Sequence, residues 1–476
     1  MSVRPSPDQD IVVIGATGDL SRRKLLPALY NLSVSGFLPR AGNIVGAAPF
    51  DWSDEKFTEF ARDGIKEFSR TGLDDKAFNA FAKRLHFVPL DDSGKLDALR
   101  SHLKQTRRLL YLAVPPSVFQ PLIAQIGAAD LSEGTSIIIE KPFGHDLESA
   151  RALNRELHAV VPEKRVYRID HYLGKETVQN LLVFRFGNSL FERVWNRDAI
   201  ARVEITVAES IGVDSRGKLY EEIGALRDIV QNHMFQVLAV MAMEPPVSFE
   251  AEAIRNEKVK VLSSIHPLEP NAVVRAQYTA GVVDGKRVPG YRDEPGVAAD
   301  STTETFAAMR LQLDSWRWSG VPFLLRTGKR LPTRDTRIVV VFHDVPLHLF
   351  RQLRVHALDQ DRLVVRIQPD EGIALTFVAK QPGLEVVPQP VEMNFSYDSS
   401  FRVSPPEAYE RLLQDAMEGD HTLFIREDEV EHGWAAVHRV LRKPAPIHFY
   451  SAGSWGPAEA ARIAAPGHWH DPEDDV

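Results

Sequence analysis

Arg168-Ile-Asp-His-Tyr-Leu-Gly-Lys-Glu176 gathers, within nine positions, three cationic or potentially cationic groups, a phenol, a carboxylate and a glycine. The β-prone Val166-Tyr167 precede it and the helix-like Thr177-Val-Gln-Asn-Leu-Leu182 follows. His171 and Lys175 therefore fall where a strand gives way to a helix start. A doubly charged phosphate is well held in such a place by free backbone N–H groups, the positive helix end and nearby cations. A carboxylate does not help to hold an anion, so Asp170 is open to another job: orienting a catalytic base.

A candidate for that base lies in the mostly apolar stretch Glu222 to Met243, read as one long helix. Asp228, Gln231, Asn232 and His233 interrupt it. Buried polar groups without partners cost about 1–3 kcal/mol each, so these residues either satisfy one another or face a wet cleft. A lone histidine in such a helix is more often a satisfied core residue; the polar cluster and the carboxylate-bearing loop reverse those odds. Imidazole titrates near pH ~6.5 and can accept the proton of an alcohol undergoing oxidation. Asp170 on its other ring nitrogen would fix the tautomer and stabilise the imidazolium.

The elements that must position these groups begin with Ile11-Val-Val-Ile14, a buried strand that runs into Gly15-Ala-Thr-Gly18 and a helix-like Arg22-Arg-Lys-Leu-Leu26. Strand, Gly-x-x-Gly, helix is the geometry that brings backbone amides onto a pyrophosphate; a tight turn without a ligand has the same signature. Pro27 is expected to kink or restart the helix. Further strands are read at Asn43–Ala48, Leu109–Val114 and Ser136–Glu140, so strands alternate with helices and imply a mostly parallel sheet. After the second strand comes Pro49-Phe-Asp51, with no basic side chain. Asp51 fits either a ribose contact or a helix N-cap.

Beyond about residue 172 the pattern changes to alternating runs such as Arg202–Ala208, Leu363–Ile367 and Leu375–Ala379, expected in an antiparallel sheet with one face covered. A further helix is expected from Ala408 to Met417. The motif Leu325-Arg-Thr-Gly-Lys329-Arg-Leu-Pro-Thr-Arg334 offers several cations around a glycine, with a solvated basic loop as the alternative. Ser301–Thr305 and Trp316-Arg-Trp318 read as sheet and core packing. His468-Trp-His470 reads as solvated and Asp471–Val476 as a frayed acidic tail, so no metal is expected.

With 476 residues the chain is long enough for two or three cored domains. A net charge of −8 argues against nucleic-acid binding and means that a small anionic substrate needs local cationic pockets. Cysteine is absent, which removes thiolate nucleophiles and Cys-ligated zinc. Neither a secretory signal nor a membrane span is read, so a soluble cytoplasmic protein is the expectation.

Taken together, Gly15-Ala-Thr-Gly-Asp-Leu-Ser-Arg-Arg-Lys-Leu25, Glu140-Lys-Pro-Phe-Gly144, Arg168–Glu176 and Arg227-Asp-Ile-Val-Gln-Asn-His233 resemble the glucose-6-phosphate dehydrogenase family. Asn180–Phe186, Trp316–Phe323 and Ala452-Gly-Ser-Trp-Gly-Pro457 extend the resemblance over residues 10 to 470. It implies an α/β plus α+β chain: a Rossmann-like dinucleotide-binding domain at 9–172, and a substrate and dimerisation domain at 173–470 with a large, mainly antiparallel sheet. It implies oxidation of glucose 6-phosphate at C1 by a homodimer or homotetramer. His233 would be the base and Asp170 its partner. His171, Tyr172 and Lys175 would hold the phosphate; Glu209, Asp228, Lys329 and Arg334 would serve the sugar, and Lys141 would lie between sugar and cofactor. Gly15, Thr17, Gly18, Asp19, Leu20, Lys24 and Pro115 would bind the cofactor. The family expectation is NADP, but Pro49 replaces the arginine that usually clamps its 2′-phosphate, which opens NAD or dual use; Thr17, Arg22 or Arg23 are the candidate substitutes. Two other readings are a related oxidoreductase on another sugar phosphate or an unphosphorylated sugar, and a catalytically silent nucleotide-binding paralogue. The intact phosphate loop argues against an unphosphorylated substrate, and the retained base and carboxylate argue against the silent paralogue.

Overall fold

The computed structural model describes residues 4–90, 96–347, 349–350, 358–401 and 406–475. The chain forms two compact units. The first comprises Met1–Lys175, Pro246–Asn256 and Pro406–Glu431, the second Glu176–Pro245, Glu257–Pro405 and His432–Val476.

The first unit is built on a seven-stranded sheet. Its strands are β1 (Asp10–Ile14), β2 (Ile44–Ala48), β3 (Leu85–Pro89), β4 (Arg108–Leu112), β5 (Thr135–Ile139) and β6 (Val166–Ile169), with a two-residue strand at Phe424–Ile425. The order across the sheet is Phe424–Ile425, β6, β5, β4, β1, β2, β3. Only Phe424–Ile425 runs antiparallel. All residues of β1 and β2 are buried, which is why they read as unbroken apolar runs rather than alternating ones. Topology builds outward from β1 in both directions, so the crevice beyond β1 and β4 is the switch point where such sheets bind ligands. The sequence reading passed over β3, whose Leu-His-Phe-Val-Pro gives only a short edge signal.

The helix expected near Ala408 forms at Ala408–Glu418 and closes on Gly419, whose φ of +88° suits glycine. It packs into the first unit. Glu410 takes a bidentate grip from Arg70 at 2.7 and 2.9 Å and a third bond from Asn31 at 3.0 Å.

The second unit carries a nine-stranded sheet. Its order is Pro388–Ser396, Gly372–Lys380, Arg362–Gln368, Asp335–Phe342, Ile200–Ala208, Phe323–Gly328, Phe306–Leu311, Val273–Thr279, Ile447–Ser451. The antiparallel expectation holds for most pairs. Two pairs are parallel: Ile200–Ala208 with Phe323–Gly328, and Val273–Thr279 with Ile447–Ser451. No helix among the described residues is long and apolar enough to cross a membrane.

Two readings of the C-terminal end are corrected. His470 is buried, and its Nδ1 lies 2.8 Å from Glu204 Oε1 while its backbone N–H donates to Glu204 Oε2 at 2.9 Å. Trp469 is buried beneath Arg326, whose guanidinium sits 4.7 Å from the ring centroid. The acidic residues that follow dock: Asp471 pairs with Arg326 at 2.6 Å and Asp475 with Arg337 at 2.9 Å. Local spacing carries no hint of this, because the arginines lie on sheet strands far away in the chain. Of the two tryptophans read as packing, Trp318 is buried and Trp316 exposed.

Burial alone would raise the Glu204 carboxyl, but hydrogen bonds and charge from His470 and a hydrogen bond from Arg202 outweigh it and hold it below its usual range. Its contribution is therefore complete above the unfolded-state pKa and is lost as pH falls through the folded one. Glu204→Gln is expected to lower the unfolding free energy by about 1.5–3 kcal/mol at neutral pH, measured by urea denaturation. The gap between variant and parent should close below about pH 4; an equal gap at pH 3 and pH 7 would show that the charge is not what stabilises.

Candidate functional site

In the first unit the chain leaves β1 and turns at Gly15 with φ +89°. A Cβ there would lie 2.2 Å from the Ala113 carbonyl oxygen, so no side chain fits. The Gly15 and Ala16 amides donate to Ala47 O at 2.8 and 3.2 Å, and Gly18 N–H and Ser21 Oγ both donate to Gly15 O at 3.1 Å. Thr17 and Leu20 are half-buried, Gly18 and Asp19 exposed, and a helix follows. Pro115, exposed, stands just past β4. A side-chain-free turn at the switch point before a helix start fits the pyrophosphate of a dinucleotide.

Pro27 does not interrupt the helix. Ser21–Leu25 form a π-helical turn that runs on, with helical φ/ψ at Leu25 and Leu26, into the α-helix Leu26–Val34, which has Pro27 in its first turn. Lys24 on the π turn meets Glu407 at 2.8 Å. Beyond β2, Pro49, Phe50 and Asp51 are exposed. Asp51 is not the helix N-cap: Ser53 takes that role, its Oγ accepting from Lys56 N–H at 3.3 Å. Arg22 pairs with Glu67 at 2.6 Å, and the Arg22 and Arg23 guanidinium groups lie 5.4 and 5.0 Å from the Phe68 ring.

Asp170 directly follows β6 and is 1% exposed. Its Oδ1 accepts from Tyr172 N–H at 2.9 Å, and Leu173 and Lys175 amides close the turn on Asp170 O and Tyr172 O. The Tyr172 ring has His171 at 5.0 Å, edge to face, and Lys175 Nζ at 4.6 Å. His171, Tyr172 and Lys175 thus form one compact loop. Arg168 is not part of it. It is fully buried and donates to Glu163 at 2.7 Å and Asn154 Oδ1 at 2.8 Å, so it serves the core. Lys141, half-buried, follows Glu140 at the end of β5.

In the second unit Glu209 and Lys329 come together as an ion pair of 2.6 Å. The cause is the parallel pairing of Ala208 with Gly328, which delivers the next residue of each strand to the same edge. Lys329 Nζ sits 5.2 Å from the Tyr220 ring. Burial, then the charges of Asp228, Glu304 and Glu209, push the Tyr220 phenol well up. Arg334 does not join these residues; it is exposed and donates to Gln368 Oε1 at 3.0 Å.

The single long helix expected over Glu222–Met243 is three pieces. A helix from Gly217 breaks at Gly224, φ +66° and ψ 170°; Leu226–Met234 is π-helical; Phe235–Ala242 is α-helical. Asp228 and His233 both lie on the π segment. Its i→i+5 hydrogen bonding stacks residues five apart nearly one above the other, which an α-helix does not. His233 is 2% exposed and its amide donates to Asn232 Oδ1 at 2.6 Å. Glu304, read from sequence only as packing, is what holds the break: its Oε1 accepts from Leu226 N–H at 3.1 Å while Arg275 grips Oε2 at 2.7 Å. Tyr220 and Glu304 were legible as residues but carried no spacing signal.

The family model for the glucose-6-phosphate dehydrogenase NAD binding domain matches residues 12–180, and that for the C-terminal domain matches 182–470. The chain is 44% identical over 473 residues to glucose-6-phosphate 1-dehydrogenase 2 of Mycobacterium bovis, covering 95% of this chain and 92% of that protein. It is 41% identical over 485 residues to glucose-6-phosphate 1-dehydrogenase of Dickeya dadantii, covering 98% of each. Among solved structures, a glucose-6-phosphate dehydrogenase in complex with its substrate glucose-6-phosphate is 34% identical, with a TM-score of 0.89 over 99% of this chain and 100% of that one.

A Cβ at Gly224 would approach Glu304 Oε1 to 2.6 Å, in a backbone region that side chains avoid. Gly224→Ala is therefore expected to destabilise the protein by about 1–3 kcal/mol, read as a lower urea midpoint. An unchanged midpoint would mean that the break accommodates a side chain.

Proposed function

The chain belongs to the glucose-6-phosphate dehydrogenase family, and on that premise we propose how its residues divide the work. The protein oxidises glucose 6-phosphate at C1 to the 1,5-lactone, the first step of the pentose phosphate pathway. His233 takes the proton of the C1 hydroxyl as the hydride leaves, and Asp170 holds its other ring nitrogen so that the imidazolium is stabilised as it forms. His171, Tyr172 and Lys175 hold the substrate phosphate. Glu209, Asp228 and Lys329 orient the sugar hydroxyls, and Lys141 bridges substrate and cofactor. A bound nicotinamide dinucleotide supplies the hydride acceptor, seated on Gly15, Thr17, Gly18, Asp19, Leu20, Lys24 and Pro115. The observation that carries this reading is the loop after β6, where a buried carboxylate is followed by a tyrosine ring flanked by an imidazole and an ammonium.

We assign NADP as the cofactor, with a preference weakened at Pro49. A missing charge-assisted bond costs about 1.5–3 kcal/mol, or roughly ten- to a hundredfold in affinity. The protein is placed in the cytoplasm as a homodimer or homotetramer.

His233→Asn is expected to lower kcat by about 10²–10⁴-fold with KM nearly unchanged; near-normal turnover removes His233 from the mechanism. Pro49→Arg should raise kcat/KM for NADP about tenfold or more and leave that for NAD in place, measured by initial rates. No change with NADP would mean that the 2′-phosphate is gripped elsewhere.

A further inference from the structure

Outside the residues assigned above, the end of β5 holds a cluster of two phenols around one carboxylate. Glu140 Oε1 accepts two phenolic hydroxyls, from Tyr111 at 2.5 Å and from Tyr409 at 3.1 Å. Tyr111 stands on the neighbouring strand β4. Tyr409 comes from the first turn of the helix Ala408–Glu418, 269 positions along the chain. That same helix start reaches two other parts of the unit. Glu407 pairs with Lys24, and Ala408 fills the space beside Gly174, where an added Cβ would lie 2.9 Å from the Ala408 Cβ. One helix start thus touches the π turn behind the glycine turn, the Glu140-Lys141 corner and the phosphate loop. No function assigned so far uses it.

A carboxylate next to Lys141 is a hazard. Left to rotate, it would draw the ammonium away from the substrate. Two phenols donating to one oxygen prevent that rotation, and they do so with groups that carry no charge of their own.

We propose that Tyr409 is a positioning residue for the reaction: its hydroxyl, together with that of Tyr111, fixes the Glu140 carboxylate and so sets the Lys141 corner and the surroundings of Asp170. The inference rests on the assignment of Lys141 and Asp170 made above. The charged groups that face Glu140 are few. Burial drives its carboxyl above the usual range; the Tyr111 and Tyr409 hydroxyls and the Lys141 ammonium oppose this, and the Asp170 charge adds to it. Removing one phenolic donor therefore raises the pH at which Glu140 takes up a proton.

Tyr409→Phe keeps the ring and deletes only the donor. The expected result is a fall in kcat of about tenfold, the scale of one hydrogen bond to a charged group, with unfolding midpoint unchanged and the acid limb of kcat/KM moved to higher pH. Tyr111→Phe should move the limb the same way, and it serves as the second probe if Tyr409→Phe folds poorly. In a Glu140→Gln background neither tyrosine substitution should move the acid limb further, because the group they act on no longer titrates. That non-additivity supports the proposal whatever His233→Asn does, whereas loss of the base assignment is read from His233→Asn alone. Unchanged kcat and pH profile in both tyrosine variants, or full additivity with Glu140→Gln, overturns it.

Discussion

Parallel strand pairing is the constraint on which the chemistry of each unit depends. Two strands running the same way end on the same edge, so the residues after their last paired positions emerge side by side. In the first unit Ile139 pairs with Arg168 and Ile14 with both Ala47 and Leu112. This brings Glu140, Lys141 and Asp170 out at one end of the sheet, together with the turn at Gly15. In the second unit the same device appears once in the sheet interior, where Ala208 meets Gly328 and Glu209 meets Lys329. Antiparallel pairing would have sent those two residues to opposite edges.

Each carboxylate delivered in this way needs donors in place to the extent that it leaves water, because an unpaired buried charge costs far more than a hydrogen bond returns. The two units supply donors of different kinds. Glu209 is met by an ammonium, Asp170 Oδ1 by a backbone amide and Glu140 by two phenols. The choice has chemical consequences. A backbone amide donates to Asp170 Oδ1 without adding a countercharge of its own. Phenols likewise hold Glu140 without neutralising Lys141.

Much of this was legible in the sequence. Ile11–Ile14, Asn43–Ala48 and the loop Arg168–Glu176 are local signals, since apolar runs and glycine turns are set by residues close together. What was not legible is long-range. Nothing near His470 announces Glu204, and nothing near Tyr409 announces Glu140. Asp51 and Ser53 show a subtler limit. Both are good capping residues two positions apart, and the helix start selects the one whose side chain reaches the amide three residues on.

The break in the helix of the second unit is the most instructive difference. Read with α-helical spacing, Asp228 and His233 point well apart around the axis and their co-occurrence looks accidental. A π-helical segment needs an extra residue per turn and is rarely stable by itself, so something must hold it. Here Gly224 stops the incoming helix and Glu304 binds the first amide after the break, with Arg275 fixing Glu304 in turn. The strain of the π turn is thereby anchored by a strand-end carboxylate rather than by the helix itself. Five residues is then the hydrogen-bonded interval along the segment that carries both Asp228 and His233.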